Sequence, residues 1–247
     1  MRRINFFIIP LLALGLALLI SGRAAAQTLS LDLGPSGGAT ERALQLIALV
    51  TILSLAPAIL VMVTSFTRIV VVLSLLRSAI GTMSAPPNTV IISLALFLTA
   101  FIMTPTAKEV YANAVSPLIA GTIPANIAFD RGSGPIRTFM LKHVREKDLD
   151  LFLSIAREPV PAGPETVPLT SLIPAFMISE LRRAFEIGFM LFMPFLVIDL
   201  VVASILMSVG MMMLPPTTVS LPFKLIFFVL VDGWNLIAGS LVQSFGS

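Results

Sequence analysis

The sequence contains no cysteine. That absence removes disulfides, thiolate zinc sites and cysteine nucleophiles together. Histidine is almost as scarce. His143 stands alone, too few for a histidine-built metal site or a Ser-His-Asp triad. It lies in Lys142-His143-Val144-Arg145-Glu146-Lys147-Asp148, where it reads as an ordinary solvated residue. Charge is thin throughout. Only 12% of residues are Asp, Glu, Lys or Arg against 57% hydrophobic, and the mean hydropathy is +1.00. A soluble domain carries about 25% charged residues, so this composition describes an integral membrane protein. The net charge of +3 comes without a basic cluster and gives no reason to expect nucleic acid. No internal repeat is evident beyond a crude similarity of two hairpins, and no cytoplasmic tail is expected after Gly246-Ser247.

What is present falls into five segments, all expected to be helical where they are regular. Residues 1–26 read as a cleavable secretory signal. Arg2 and Arg3 supply the positive end, an apolar stretch follows, and Ala24 and Ala26 before Gln27 form the cleavage pattern. An uncleaved first helix and a twin-arginine route are the weaker readings. Residues 27–42 are a polar N-terminal segment outside the cytoplasm. Residues 43–103 read as a first helical hairpin. Its 34-residue apolar pattern over 43–76 would reach roughly 50 Å, beyond the ~30 Å hydrocarbon core, so Pro57 is expected to kink it. Arg68 and Arg77 flank the run 69–76, and no acid lies between Arg42 and Lys108, which places this stretch toward the cytoplasm. Pro86, Pro87 and Asn88 make a turn. The next run, Val90 to Met103, would span only about 21 Å and is expected to end at Pro105.

Residues 104–183 form the polar segment, with nine Lys/Arg and eight Asp/Glu mixed together. An amphipathic helix is expected over 142–156, with Leu149, Phe152 and Leu153 on one face, followed by a linker with four prolines over 158–168. Alternation of spans places the segment outside the cytoplasm, while Arg182 and Arg183 at its end point the other way. Residues 184–247 read as a second hairpin. Its first run, Ile187 to Val209, is expected to break at Pro194 and carries Asp199 near its centre. Its second, Phe223 to Val242, follows Pro222 and carries Lys224 and Asp232.

Charges at mid-membrane cost about 3 kcal/mol each on insertion scales. Arg68, Glu186, Asp199, Lys224 and Asp232 are therefore expected to be buried and paired across helices or subunits, as structural ion pairs ahead of any proton relay. Between the two runs of the second hairpin lies Gly210-Met211-Met212-Met213-Leu214-Pro215-Pro216. Methionine is unbranched and polarizable and adapts to irregular partners, so several copies around an axis could close a hole yet yield to varied polypeptides. On composition alone, methionines near a helix end read as core filler.

Particular stretches then carry a resemblance: Ser65-Phe66-Thr67-Arg68-Ile69-Val70 through Arg77, Pro86-Pro87-Asn88, Leu94 to Thr99, Phe176-Met177-Ile178-Ser179-Glu180-Leu181, Phe185 to Phe189, Pro194 to Asp199, the methionine stretch, Ser220 to Lys224, and Asp232-Gly233-Trp234. With these, residues 43 to 245 resemble the FliP family of flagellar type III export-gate proteins, whose virulence-secretion homologues are the SctR proteins. The resemblance implies a non-enzymatic channel subunit, with no catalytic residue, metal or cofactor. It implies kinked hairpins assembled side by side into a ring or helical cone in the flagellar basal body of the bacterial inner membrane. It implies a homo-oligomer, a pentamer, with FliQ and FliR, the larger FlhA and FlhB, and unfolded flagellar substrates as partners. The family's methionine gasket falls on Met211, Met212 and Met213, and the signal favours the flagellar over the virulence branch. Two rival readings come from other classes. An intramembrane aspartyl protease would pair Asp199 with Asp232, but no Gly-x-Gly-Asp motif is present. A small-solute transporter expects a longer, more repetitive set of spans, which four runs could supply only as an oligomer.

Overall fold

In the computed structural model, described for residues 39–82, 84–159, 161, 163–211 and 213–246, every regular element is helical. The order is α1 Ala39–Met62, α2 Phe66–Ile80, α3 Asn88–Val110, α4 Ala125–His143, α5 Glu146–Ala156, α6 Leu169–Ser208, α7 Pro216–Leu230 and α8 Gly233–Gly246. The signal residues Ala24, Ala26 and Gln27 lie outside the described residues, as does most of the polar N-terminal segment. Residues up to Ile52 and residues from Leu53 onward form separate units, and the packing below concerns the second.

The first helix runs on past residue 57 and ends at 62, and the interruption before α2 lies at residues 63–65. Hydroxyl side chains make it there. Thr67 Oγ1 donates to the Val61 carbonyl at 3.2 Å, and the Phe66 amide donates to Thr64 Oγ1 at 3.4 Å. Such local bonds offer the backbone an alternative to the helical ladder.

α2 is the central helix. Ile69, Val72, Leu73, Leu76, Ala79 and Ile80 are all buried, at the three- and four-residue spacing of one helical face. They pack with Ile91 and Ala95 of α3, Ala184 and Phe195 of α6, Phe228 of α7, and Ile237 and Leu241 of α8. Gly188 brings α6 within touching distance of α2: a Cβ there would sit 2.3 Å from Leu75 Cδ1. A second, smaller core joins Val63, Met140, Val167, Leu172 and Phe176.

Prolines do not end the helices where they were expected to. α3 continues through Pro105, then through a π-helical turn, Tyr111–Val115, and the turn Ser116–Ile119, giving one apolar element of 32 residues. The expected 14-residue span is thus corrected. Proline's fixed φ suits a helix, and its missing amide idles only one carbonyl, here that of Phe101. A wider π turn follows six residues on, at Tyr111. α6 runs 40 residues through Pro174 and Pro194, so Pro194 bends no break into it, and the boundary expected at 183 falls inside an unbroken helix. Pro222 likewise sits within α7. The last run breaks elsewhere: α7 and α8 meet at 63°, across Val231 and Asp232. Asp232 adopts φ 51°, the left-handed conformation that asparagine and aspartate tolerate best.

In the polar segment, the helix expected over 142–156 begins only at Glu146. Arg145 is extended, and its amide is taken by Ser179 Oγ at 3.1 Å. That hydroxyl in turn donates to Asp148 Oδ2 at 2.7 Å. Leu153 faces inward and Leu149 and Phe152 are half-buried, as one amphipathic face. α3 and α6 are long and apolar enough to cross a membrane, and the bent α7–α8 pair is a third candidate.

Candidate functional site: a capped methionine turn above a buried ion pair

The connection from α6 to α7 is short, and both of its ends are fixed. Gly210 has φ 79°, a conformation glycine adopts freely and other residues adopt at a cost of about 1–2 kcal/mol. Its amide donates to Met207 at 3.1 Å, and the Met211 amide reaches back to Leu206 at 2.9 Å. This pair of bonds is the Schellman arrangement, which satisfies the carbonyls orphaned at a helix C-terminus. On the far side Pro215 is extended and Pro216 occupies the first turn of α7, a position where its missing amide and fixed φ are no handicap. Between these fixed ends the side chains are free: Met213 is 99% exposed and Met211 45%. Met212 lies outside the described residues.

Roughly 12–16 Å along the helices from the turn, α6 and α7 are joined by charge. Lys224 Nζ donates to Asp199 Oδ2 at 2.7 Å and to the Ala79 carbonyl of α2 at 3.2 Å. Ser220 Oγ donates to Asp199 Oδ1 at 2.5 Å. The lysine side chain is 6% exposed and the aspartate 25%. One ammonium thus ties three helices beneath the methionines, and in doing so satisfies a carbonyl at the C-terminal end of α2.

A second charge knot lies at the other end of α2. Arg68 Nε donates to Glu180 Oε2 at 2.8 Å, and Nη2 donates to Glu180 Oε1. Its remaining nitrogen, Nη1, donates to the Ser244 carbonyl at 3.2 Å and to Ser244 Oγ at 2.9 Å. The guanidinium also stands 3.7 Å over the centre of the Phe245 ring. The two charged side chains are 1% and 0% exposed. Bidentate, desolvated geometry of this kind makes the strongest arginine–carboxylate contacts. The knot holds the C-terminal turn of α8 against α2 and α6.

The expected buried charges therefore divide. Arg68 and Lys224 are buried, and Asp199 is paired while a quarter exposed. Glu186 is exposed and accepts from Arg182 Nε within its own helix at 2.8 Å. Asp232 is exposed in the α7–α8 break and accepts from Asn235 Nδ2 at 3.1 Å. Within this single chain neither Glu186 nor Asp232 is buried: each pairs locally, one on the exposed side of α6 and the other in the α7–α8 break. Asp199 and Asp232 have separate partners, so no shared-proton dyad of the aspartyl-protease kind forms among the described hydrogen bonds. Arg77 closes the proline turn, donating from Nη1 to Asn88 Oδ1 at 2.6 Å and to the Pro86 carbonyl at 3.3 Å.

Two partners were missed. Glu180 and Ser244 complete the Arg68 knot. The signal for Glu180 is an acid in the otherwise uncharged stretch 166–181. His143 is also corrected, from solvated to 3% exposed. Its ring lies between Phe139 and Phe245, at centroid distances of 4.7 and 5.1 Å, with Nδ1 2.8 Å from the Phe139 carbonyl.

Comparison with known proteins adds a consistent set of relatives. A family model described as the FliP family matches residues 49–241. The chain is 57% identical over 235 residues to the flagellar biosynthetic protein FliP of Caulobacter vibrioides, covering 95% of this chain and 88% of that one. Its counterpart in Bacillus subtilis is 55% identical over 201 residues, 81% of this chain and 91% of the relative. The Rhizobium meliloti protein of the same name is 48% identical over 250 residues, 99% and 100% of the two chains.

Proposed function

Because the chain belongs to the FliP family, we propose that it is a subunit of the flagellar type III protein-export gate, a non-enzymatic part of the channel through which unfolded flagellar proteins pass. Several copies, five in this reading, assemble with FliQ and FliR into a ring or cone in the bacterial inner membrane at the flagellar basal body, and FlhA and FlhB act beside it. Each copy contributes Met211, Met212 and Met213 to a common constriction.

The observation that carries this reading is the capped methionine turn. Its backbone is fixed at Gly210 and Pro216, while Met213 is fully exposed, as a sealing side chain on a firm mount would be. The length of α6 supports assembly. Forty residues reach about 60 Å, twice the ~30 Å hydrocarbon core. Its exposed large apolar side chains run from Ile178 to Met207, about 44 Å along the helix and longer than the hydrocarbon core, and in this reading neighbouring subunits cover the rest. The domain reading of two hairpins around a polar segment fits the same picture, with α6 as the shared strut.

The test replaces Met211, Met212 and Met213 together by alanine in the assembled gate. The expected outcome is a closed complex that leaks small ions, read as conductance in planar bilayers, with flagellar export measured alongside. Unchanged conductance together with unchanged export would remove the methionines from the gating role.

A further inference from the structure

Among the described residues the cations outside these ion pairs are mostly exposed, as Lys108, Arg131, Lys142, Lys147 and Arg157 are, but one on α6 is not. Arg183 is half-buried on α6 and has no hydrogen-bond or ion-pair partner among the described residues, whereas Arg182 is held by Glu186 at 2.8 Å and Arg145 by Asp148 at 3.6 Å. With Arg68, these three arginines line a cavity of about 420 Å³ in which Glu186 is the only acid. A half-buried guanidinium that no acid contacts directly keeps its donors available, and the planar fork of arginine matches phosphate in two-point contact.

The cavity does not end at the charges. Ile187 and Ser244 line both it and a second cavity of about 320 Å³ between α6 and α8, whose other walls include Met190, Leu191, Leu236, Ile237 and Leu241. A cationic recess thus opens directly onto an apolar groove. The junction falls where α6 changes character, from Glu180-Leu181-Arg182-Arg183 to a run that carries no charge between Glu186 and Asp199. Exposed Phe185, Phe189 and Met190 stand along the same stretch. An acidic side chain from a neighbouring subunit would answer the arginines but leave the adjoining groove without an occupant. A molecule with an anionic head and a hydrocarbon tail answers both.

We propose that this double cavity binds one anionic phospholipid, its phosphate on Arg183 with Arg145 and Arg182, and an acyl chain in the groove between α6 and α8. The site is separate from the methionine turn, and its readout is lipid binding, so it stands or falls independently of the export reading.

The assembled complex, delipidated in mild detergent, is titrated with phosphatidylglycerol, phosphatidylcholine and inorganic phosphate, and bound lipid is counted by native mass spectrometry. Phosphatidylglycerol is expected to bind in preference to phosphatidylcholine, and inorganic phosphate is expected not to displace it. Arg183→Gln should weaken phosphatidylglycerol about fivefold, the typical share of one arginine at a lipid surface, and Arg183→Lys should keep most of the binding. Ser240→Trp, which fills the groove from an exposed position without touching the charges, should weaken it as well. The wild-type titrations and the tryptophan variant decide the matter even if Arg183→Gln fails to fold. Equal binding of the two lipids, or wild-type binding in both variants, overturns the proposal. So does displacement by inorganic phosphate, which would mean an anion site without a tail. Loss of subunits from Arg183→Gln with lipid binding unchanged overturns it in favour of an acidic partner chain.

Discussion

Removing Glu180 alone should cost more than removing it together with Arg68. Glu180→Gln leaves the Arg68 guanidinium without a counter-charge at a place where both side chains are 1% exposed or less. Breaking a buried pair from one side costs about 3–5 kcal/mol, and Arg68→Met strands the Glu180 carboxylate at a similar cost. In the double variant, Arg68→Met with Glu180→Leu, no charge is stranded, and an apolar pair of similar volume is itself about neutral. What remains lost are the two hydrogen bonds to Ser244, about 1 kcal/mol each, and the contact of the guanidinium with the Phe245 ring, about 1 kcal/mol. The double variant should therefore fall by about 3 kcal/mol, where addition of the singles would give about 6–10 kcal/mol. Thermal unfolding in mild detergent can be followed by the fluorescence of Trp234, the only tryptophan, whose ring meets Phe228 edge-on at 5.3 Å. At roughly 2–4 °C per kcal/mol for a chain of this size, each single variant should melt roughly 10 °C lower. The double should melt no lower than the singles. Additive losses, or a single variant within about 1 kcal/mol of the parent, would refute the argument that burial of the charge sets the energetics.

Two further outcomes follow from packing and from charge. Gly188→Val should destabilise by about 1–3 kcal/mol through overpacking against Leu75; Leu75→Ala in the same chain should return part of that loss, and a melting midpoint unchanged by the second substitution would show that the contact is not the cause. His143 has its ionisation pushed below the ordinary value of 6.5, first by burial and then by the nearby charges of Arg68 and Arg183, against the opposing pull of the Phe139 and Phe245 carbonyls. The folded chain therefore holds it neutral while the unfolded chain takes up a proton first, so stability should fall as pH drops below about 6.5. The same titration on His143→Phe should lose that slope, and a slope that persists would assign it to other groups.

The turns were legible in the sequence where their chemistry is local. Gly210 and Pro216 carry a C-terminal and an N-terminal helix signal within seven residues, and Pro86-Pro87-Asn88 does the same for the start of α3. The prolines inside apolar runs misled. An isolated helix loses about 3 kcal/mol or more at an interior proline, but these helices run on through Pro105, Pro194 and Pro222, all three on exposed faces. The first break was set by Thr64 and Thr67, residues too common to flag one. Arg68 was recognisable as a charge in need of a partner, yet Glu180 lies 112 positions away, and no local pattern links them. His143 was misplaced for the same reason: its neighbours in sequence are charged, while its neighbours in space include Phe245 from the last helix.

The capped turn between α6 and α7 has a consequence for speed. With the main chain held at Gly210 and at Pro216, the exposed Met211 and Met213 carry side chains that move on their own, each with three rotatable bonds. Rotamer changes of exposed side chains take picoseconds to nanoseconds, whereas hinge motions of loops and domains take microseconds or longer. A closure mounted this way would part around a passing polypeptide and reseal behind it within the time a hinge needs to begin moving.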